Sequence, residues 1–326
     1  MSEHLGDNQA EEGKTAEAEK EVSPAGWTQS RLRGMVDFGF KNPGWLAMFM
    51  LSRVEAVRSV QRLVAQVPDC ARFRKLPRVT SEVDLSEVAG SLEERGIFQG
   101  LQLSEDVVEG INRFARETPC FANGELDMPM KWNLPHEEAD SFGEPVIIGD
   151  YLSKIHDCEE IRSIWEDRQL LEIAAHYLKA EPKLNRSRLW WSYARGEQED
   201  EGVNLATFAQ DRFHFDIHDW RTLKFFFYLN RVDEGSGAHL FINGSHRGHA
   251  LAEQFTLRRG AERGRLEQRY GSENVVMVTG DAGFGWVEDP YGFHTGTKVL
   301  RGDRLMLEVA FGVSEESPAG VHNPAI

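Results

Sequence analysis

Asp211-Arg-Phe-His-Phe-Asp-Ile-His-Asp-Trp-Arg-Thr-Leu-Lys-Phe-Phe-Phe-Tyr-Leu229 decides how this 326-residue chain is read. Its second half, Leu223 to Leu229, is an aromatic run rich in strand formers. If its first half, 211–219, is extended, successive side chains alternate faces, and His214 and Asp216 point the same way. One imidazole and one carboxylate so placed make two adjacent corners of a metal site. His218 shares that face and is a rival ligand; His239, His246 and His249 read as ordinary histidines.

Strand signals continue on both sides. Leu189 to Tyr193 is short and aromatic, His239 to Ile242 and Val275 to Val278 are compact apolar runs, and Arg304 to Phe311 alternates with Leu305, Leu307, Val309 and Phe311 on one face. Glycine-rich turns at 233–237, 243–245 and 280–283 separate them. Several short strands with turn signals predict a sandwich or barrel. The charged stretch 249–270 reads as a helical insertion. Upstream, Ser104 caps a predicted helix over 104–117, whose stripe is Val107, Val108, Ile111 and Phe114. A second helical stretch is predicted over 159–179.

Composition narrows the function classes. Formal net charge is -16, which argues against nucleic acid as a partner. Three scattered cysteines, Cys70, Cys120 and Cys158, form no CxxC pair, so neither a disulfide framework nor a thiolate zinc site is expected. The start lacks an apolar signal core and no stretch reaches the ~20 apolar residues of a spanning helix. The reading is a cytoplasmic protein. Residues 1–26 carry almost no large apolar side chain and read as a disordered acidic tail.

Residues 31–78 stand apart, with ten Lys or Arg against three acids. Within them, Trp45 to Leu51 and then Val54, Val57, Val60, Leu63, Val64 and Val67 follow helical spacing, with Arg53, Arg58 and Arg62 in between. Two readings stay open. A basic amphipathic helix over 31–67 can lie on an anionic membrane, peripheral on its inner face. It can equally pack on its own domain with a solvated basic face.

The third metal ligand is best supplied by His294, on the strand-like Tyr291-Gly-Phe-His-Thr-Gly296. Two histidines and one carboxylate form the facial triad of non-haem iron(II) oxygenases. The whole ordered string is more specific than His-x-Asp alone. It runs through the aromatic strand, Gly237-Ala-His-Leu-Phe-Ile-Asn-Gly-Ser-His246, Gly280 to His294, and the strand from Arg304. It resembles the phytanoyl-CoA dioxygenase family of 2-oxoglutarate oxygenases over roughly residues 100–313.

That resemblance implies a mainly β fold with flanking α. Its core is a double-stranded β-helix, jelly-roll or cupin-like, with N-terminal helices packed on it. With the composition, it divides the chain into a 1–26 tail, a 27–95 basic N-terminal segment with possible membrane-surface contact, a 96–313 oxygenase domain and a 314–326 C-terminal tail. It implies iron(II) on His214, Asp216 and His294, with 2-oxoglutarate and O2 as cosubstrates. Arg304, ten residues after His294, matches the basic residue that meets the far carboxylate of 2-oxoglutarate, with Arg301 as fallback; a guanidinium suits that role. Trp191, Tyr193 and Thr295 are candidates to line the cofactor pocket; plain sandwich core is the competing reading for the two aromatics. Because Asp216 is present, no ligand position is freed for halide, and hydroxylation is expected. The substrate is expected to be a lipid-linked molecule such as a glycolipid sugar. The alternatives are a soluble natural product or amino acid, a cupin-like enzyme without 2-oxoglutarate, and a non-catalytic binding module.

Overall fold

A computed structural model describes residues 39–134, 142–143, 145–195, 205–210, 212–254 and 261–314. The expected tail at 1–26, the start of the basic segment at 27–38 and the expected tail at 314–326, apart from Ser314, lie outside these residues. Eleven strands are present among them, and every strand pair is antiparallel. β1 (Ile97–Gln102), β2 (Cys120–Ala122), β3 (Pro129–Met130) and β4 (Ile148–Asp150) come first, then β5 (Lys183–Ser192) and β6 (Thr222–Tyr228). β7 (His239–Ile242), β8 (Val275–Val278), β9 (Phe284–Glu288), β10 (His294–Gly296) and β11 (Arg304–Gly312) complete the set.

They form an eight-stranded sheet, β1-β9-β6-β11-β5-β4-β2-β3, and a three-stranded sheet, β10-β7-β8. The chain crosses repeatedly between them. From β5 it passes to the edge of the small sheet at His214, which bridges His294, and returns as β6. It then visits β7 and β8, goes back to β9, over to β10 and home to β11. That winding is the double-stranded β-helix expected from the resemblance.

Strand alternation sorts side chains into layers. On β11, Leu305, Leu307, Val309 and Phe311 enter the largest core cluster, which includes Leu170, Ile173 and Ile111 from the covering helices. Met306 turns the other way and joins Trp190, Phe226, Tyr228, Trp286 and Phe241 between the two sheets. The stretch predicted as one helix over 159–179 is two, Glu159–Trp165 and Arg168–Leu178. Asp167 divides them. Fully buried, it accepts hydrogen bonds from the Leu170, Val79 and Thr80 amides, capping the second helix while tying down the chain at 79–80.

The N-terminal segment reverses both expectations for its charged face. Helices α1 (Pro43–Leu51) and α2 (Glu55–Val64) are present. Met48 and Phe49 pack on Ile217 and Tyr291. Arg58 is buried and its guanidinium reaches Asp289 at 3.2 Å; Arg62 reaches the same carboxylate at 2.7 Å and the Tyr177 hydroxyl at 2.7 Å. Leu63 and Val64 stand 83% and 74% exposed. Asp289 is the cause. It is 1% exposed on the turn between β9 and β10, and a buried carboxylate requires counter-charge. Burial alone would raise its pKa; Arg58 and Arg62 outweigh burial and hold it below the usual carboxylate range.

Candidate metal centre

The stretch 212–219 is extended without being a regular strand. His214 and His294 exchange backbone hydrogen bonds at 3.0 and 2.9 Å, and the Asp216 amide donates to Pro290 O at 2.7 Å. Phe213 faces the small sheet's outer cluster, so His214 and Asp216 fall together on the other side. One ligand atom from each of His214, Asp216 and His294 can be chosen so that all three lie within 4.8 Å of one another. The His294 Nε2 to Asp216 Oδ2 separation is 3.6 Å. His218 is not in this group. Burial, with Lys224 nearby, lowers its pKa to about 3 and keeps it neutral.

The hydrogen bonds fix how the rings face. His294 Nδ1 lies 2.9 Å from Gly292 O, and His214 Nδ1 lies 3.2 Å from Arg212 O. A carbonyl only accepts, so Nδ1 carries the proton in both rings. In a neutral ring the lone pair then lies on Nε2, which is how a metal-ligating histidine is oriented. Burial disfavours a charge on His294, yet Asp216 and Glu288 overcome it and its pKa is raised. The carboxylates that favour a proton at Nε2 favour a metal cation there as well. The donor set therefore fits iron(II) in a two-histidine, one-carboxylate site.

A residue that sequence reading passed over sits beside it. Lys224, 2% exposed on β6, donates from Nζ to Asp216 Oδ2 at 2.7 Å and to Glu308 Oε2 at 3.3 Å. Burial would raise the Glu308 carboxyl; Lys224 and Arg186 reverse that and bring it to about 2. The same ammonium, against burial, holds Asp216 well below its ordinary value. The only sequence signal was a lysine inside an otherwise hydrophobic strand, since burying an ammonium demands partners.

Arg304 opens β11 on the face that looks between the sheets. It is 3% exposed and donates to Gly237 O and, at 3.0 Å, to Ser192 Oγ. Gly237 has φ +80, a backbone state that favours glycine. Among the described residues Arg304 has no carboxylate partner, and its Nε makes no hydrogen bond. Burial lowers its pKa. A Cβ placed on Gly296 would meet Arg304 Nη1 at 3.4 Å, so the guanidinium lies over the strand that carries His294. Arg301, by contrast, is a surface residue paired with Asp233 at 3.1 Å.

Three pocket candidates lie off the inner face, and for the two aromatics the competing reading, plain core, describes their place. Trp191 pairs in register with Leu305 and faces the helices, stacked on Trp132 and donating to the Tyr151 hydroxyl at 3.0 Å. Tyr193 belongs to the same helix-covered core. Thr295 pairs with Leu240, whose side chain joins the outer cluster of the small sheet. With a period of two, these side chains sit one position out of phase; Ser192 and Trp190 take the inner face instead.

No protein-family model matches the chain, and no curated protein matches it. Among solved structures it is similar to AviO1 from Streptomyces viridochromogenes, with 14% identity over 73% of this chain and 98% of that one, at a TM-score of 0.45. It is similar to EctD from S. alaskensis with bound Fe, with 16% identity over 75% and 90%, at a TM-score of 0.46. HygX from Streptomyces hygroscopicus, with nickel and 2-oxoglutarate bound, matches at 15% identity over 71% and 88%, with a TM-score of 0.45. Identities this low leave the chemistry of the centre to its own residues.

Proposed function

We propose that this protein is an iron(II)- and 2-oxoglutarate-dependent oxygenase that hydroxylates a C–H bond, consuming O2 and releasing succinate and CO2. The observation that carries this reading is the buried Arg304 guanidinium, without an acid partner among the described residues and held beside the strand that presents His294. A cation taken out of water and left with a carbonyl and a hydroxyl awaits an anion. A second carboxylate on a metal-chelating keto acid meets that need.

Each residue has a part. His214 and His294 present Nε2, and their Nδ1–H bonds keep the rings from turning. Asp216 completes the triad, with Lys224 balancing its charge. Arg304 and Ser192 receive the far carboxylate. Trp190, Phe226, Tyr228 and Met306 wall the space between the sheets and keep water out. Iron(II) with the keto acid supplies the O2 chemistry when bound. The resemblance of the ordered motif string to phytanoyl-CoA dioxygenases agrees with this reading.

An anaerobic titration tests it. Iron(II) followed by 2-oxoglutarate is expected to give a weak visible charge-transfer band that is absent in His214→Ala. In Arg304→Met iron still binds, but keto-acid affinity falls at least ~30-fold, the ~2 kcal/mol or more expected when one partner of a buried charge pair is lost. The ligand-free variant is expected to melt no lower than the parent, since an isostere of similar size relieves an unpaired buried cation. Full keto-acid affinity in Arg304→Met would turn the reading towards a cupin-like metal enzyme that works without 2-oxoglutarate.

A further inference from the structure

Large apolar side chains are exposed unevenly over this molecule. Of twelve such residues standing open to solvent among the described ones, seven lie within 40–67. Val60, Leu63 and Val64 occupy one stripe of α2, at 58%, 83% and 74% exposure, and Val67 follows at 43%. Isolated exposed hydrophobics need no explanation, but a stripe marks a contact surface.

The exposed charges of the same segment are mostly of one sign. Within 39–78 the exposed ionic residues are Lys41, Arg72, Arg74, Lys75 and Arg78, with Asp69 as the sole acid. Arg72 pairs with Glu181 and Arg78 with Glu82. Lys41, Arg74 and Lys75 make no ion pair among the described residues. Three exposed cations without an ion pair among the described residues thus belong to the same segment as the apolar stripe, in a protein of net charge -16.

We propose that this face docks on an anionic lipid surface, with the α2 stripe entering the interface and Lys41, Arg74 and Lys75 meeting headgroups. Aliphatic side chains backed by lysine and arginine suit a bilayer boundary. A symmetric second copy suits it less, because a two-fold contact sets the same cations against each other. The sequence pattern pointed to Arg53, Arg58 and Arg62 for this contact. The structure spends Arg58 and Arg62 on Asp289 and leaves the apolar side and the following basic turn outward. The proposal is independent of the iron chemistry.

Flotation of the full chain with phosphatidylcholine vesicles, with and without phosphatidylglycerol, tests it. Binding is expected only with the anionic lipid and is expected to weaken with salt. The Leu63→Asp/Val64→Asp double variant changes exposed positions and is expected to melt like the parent while losing vesicle binding. Arg74→Glu/Lys75→Glu is expected to weaken binding at least about fivefold for each cation removed. Wild-type protein that ignores anionic vesicles overturns the proposal. So does binding untouched by both variants, which would place the contact elsewhere on the chain. Self-association that Leu63→Asp/Val64→Asp abolishes, without vesicle binding, would make this face a protein interface instead.

Discussion

Lys224→Met is expected to destabilise the metal-free protein by about 3–5 kcal/mol at neutral pH, the usual consequence of removing one partner from a buried charge cluster. The ammonium serves two carboxylates, Asp216 and Glu308, and both lose it at once. The loss has a pH signature. Glu308 has a folded pKa of about 2, below its unfolded value, so its contribution to stability is present above the unfolded pKa. That contribution fades as pH falls from roughly 4.5 towards 2. Without Lys224, Arg186 alone opposes burial at this carboxyl, and the contribution shrinks. Parent and variant should therefore converge in acid, as denaturant curves at pH 7 and at acid pH would show. A divalent metal returns positive charge to Asp216, so added cobalt(II) is expected to raise the melting temperature of the variant more than that of the parent. A variant within about 1 kcal/mol of the parent at pH 7 would remove the charge-balancing role.

The second large effect is expected for Asp289→Asn. The amide keeps the shape but leaves Arg58 and Arg62 buried or half-buried around a neutral group. A loss of about 3 kcal/mol or more is expected. The damage should reach the metal, because the turn that begins at Asp289 supplies Pro290 O to the Asp216 amide and Gly292 O to His294 Nδ1. Loss of such outer support typically costs 10–100-fold in metal affinity. A competition titration with cobalt(II), done where the variant is still folded, reads this out. Unchanged metal affinity beside lowered stability would show that the N-terminal helices brace the fold without tuning the centre.

The parts legible in the sequence were those set by period and by residue chemistry. Alternation from Leu305 to Phe311 gave the strand and its buried face, and the glycine-rich turns gave the segmentation. His214, Asp216 and His294 were legible because few patterns place such donors in that order. What escaped depended on phase and on distant partners. Trp191 and Tyr193 looked like pocket residues because an aromatic strand does not state which face meets the helices. Asp167 split a helix by binding amides nearly ninety residues upstream. In α2, helical spacing showed that two faces differ but not which one turns inward. That choice was made by Asp289, more than two hundred residues away in sequence.

The close approach of Gly296 to Arg304 makes the small sheet a ruler. His294 and Gly296 lie on the same face, one strand repeat apart, about 7 Å. The spacing between His294 and the strand position that the Arg304 guanidinium overlies is thus set by strand geometry. A keto acid one methylene shorter than 2-oxoglutarate, such as oxaloacetate, can reach the metal or the arginine but falls a bond length short of both. It is expected to support no charge-transfer band at concentrations where 2-oxoglutarate saturates. On the proposed function, the centre measures its cosubstrate by length, and the gauge is two residues of backbone.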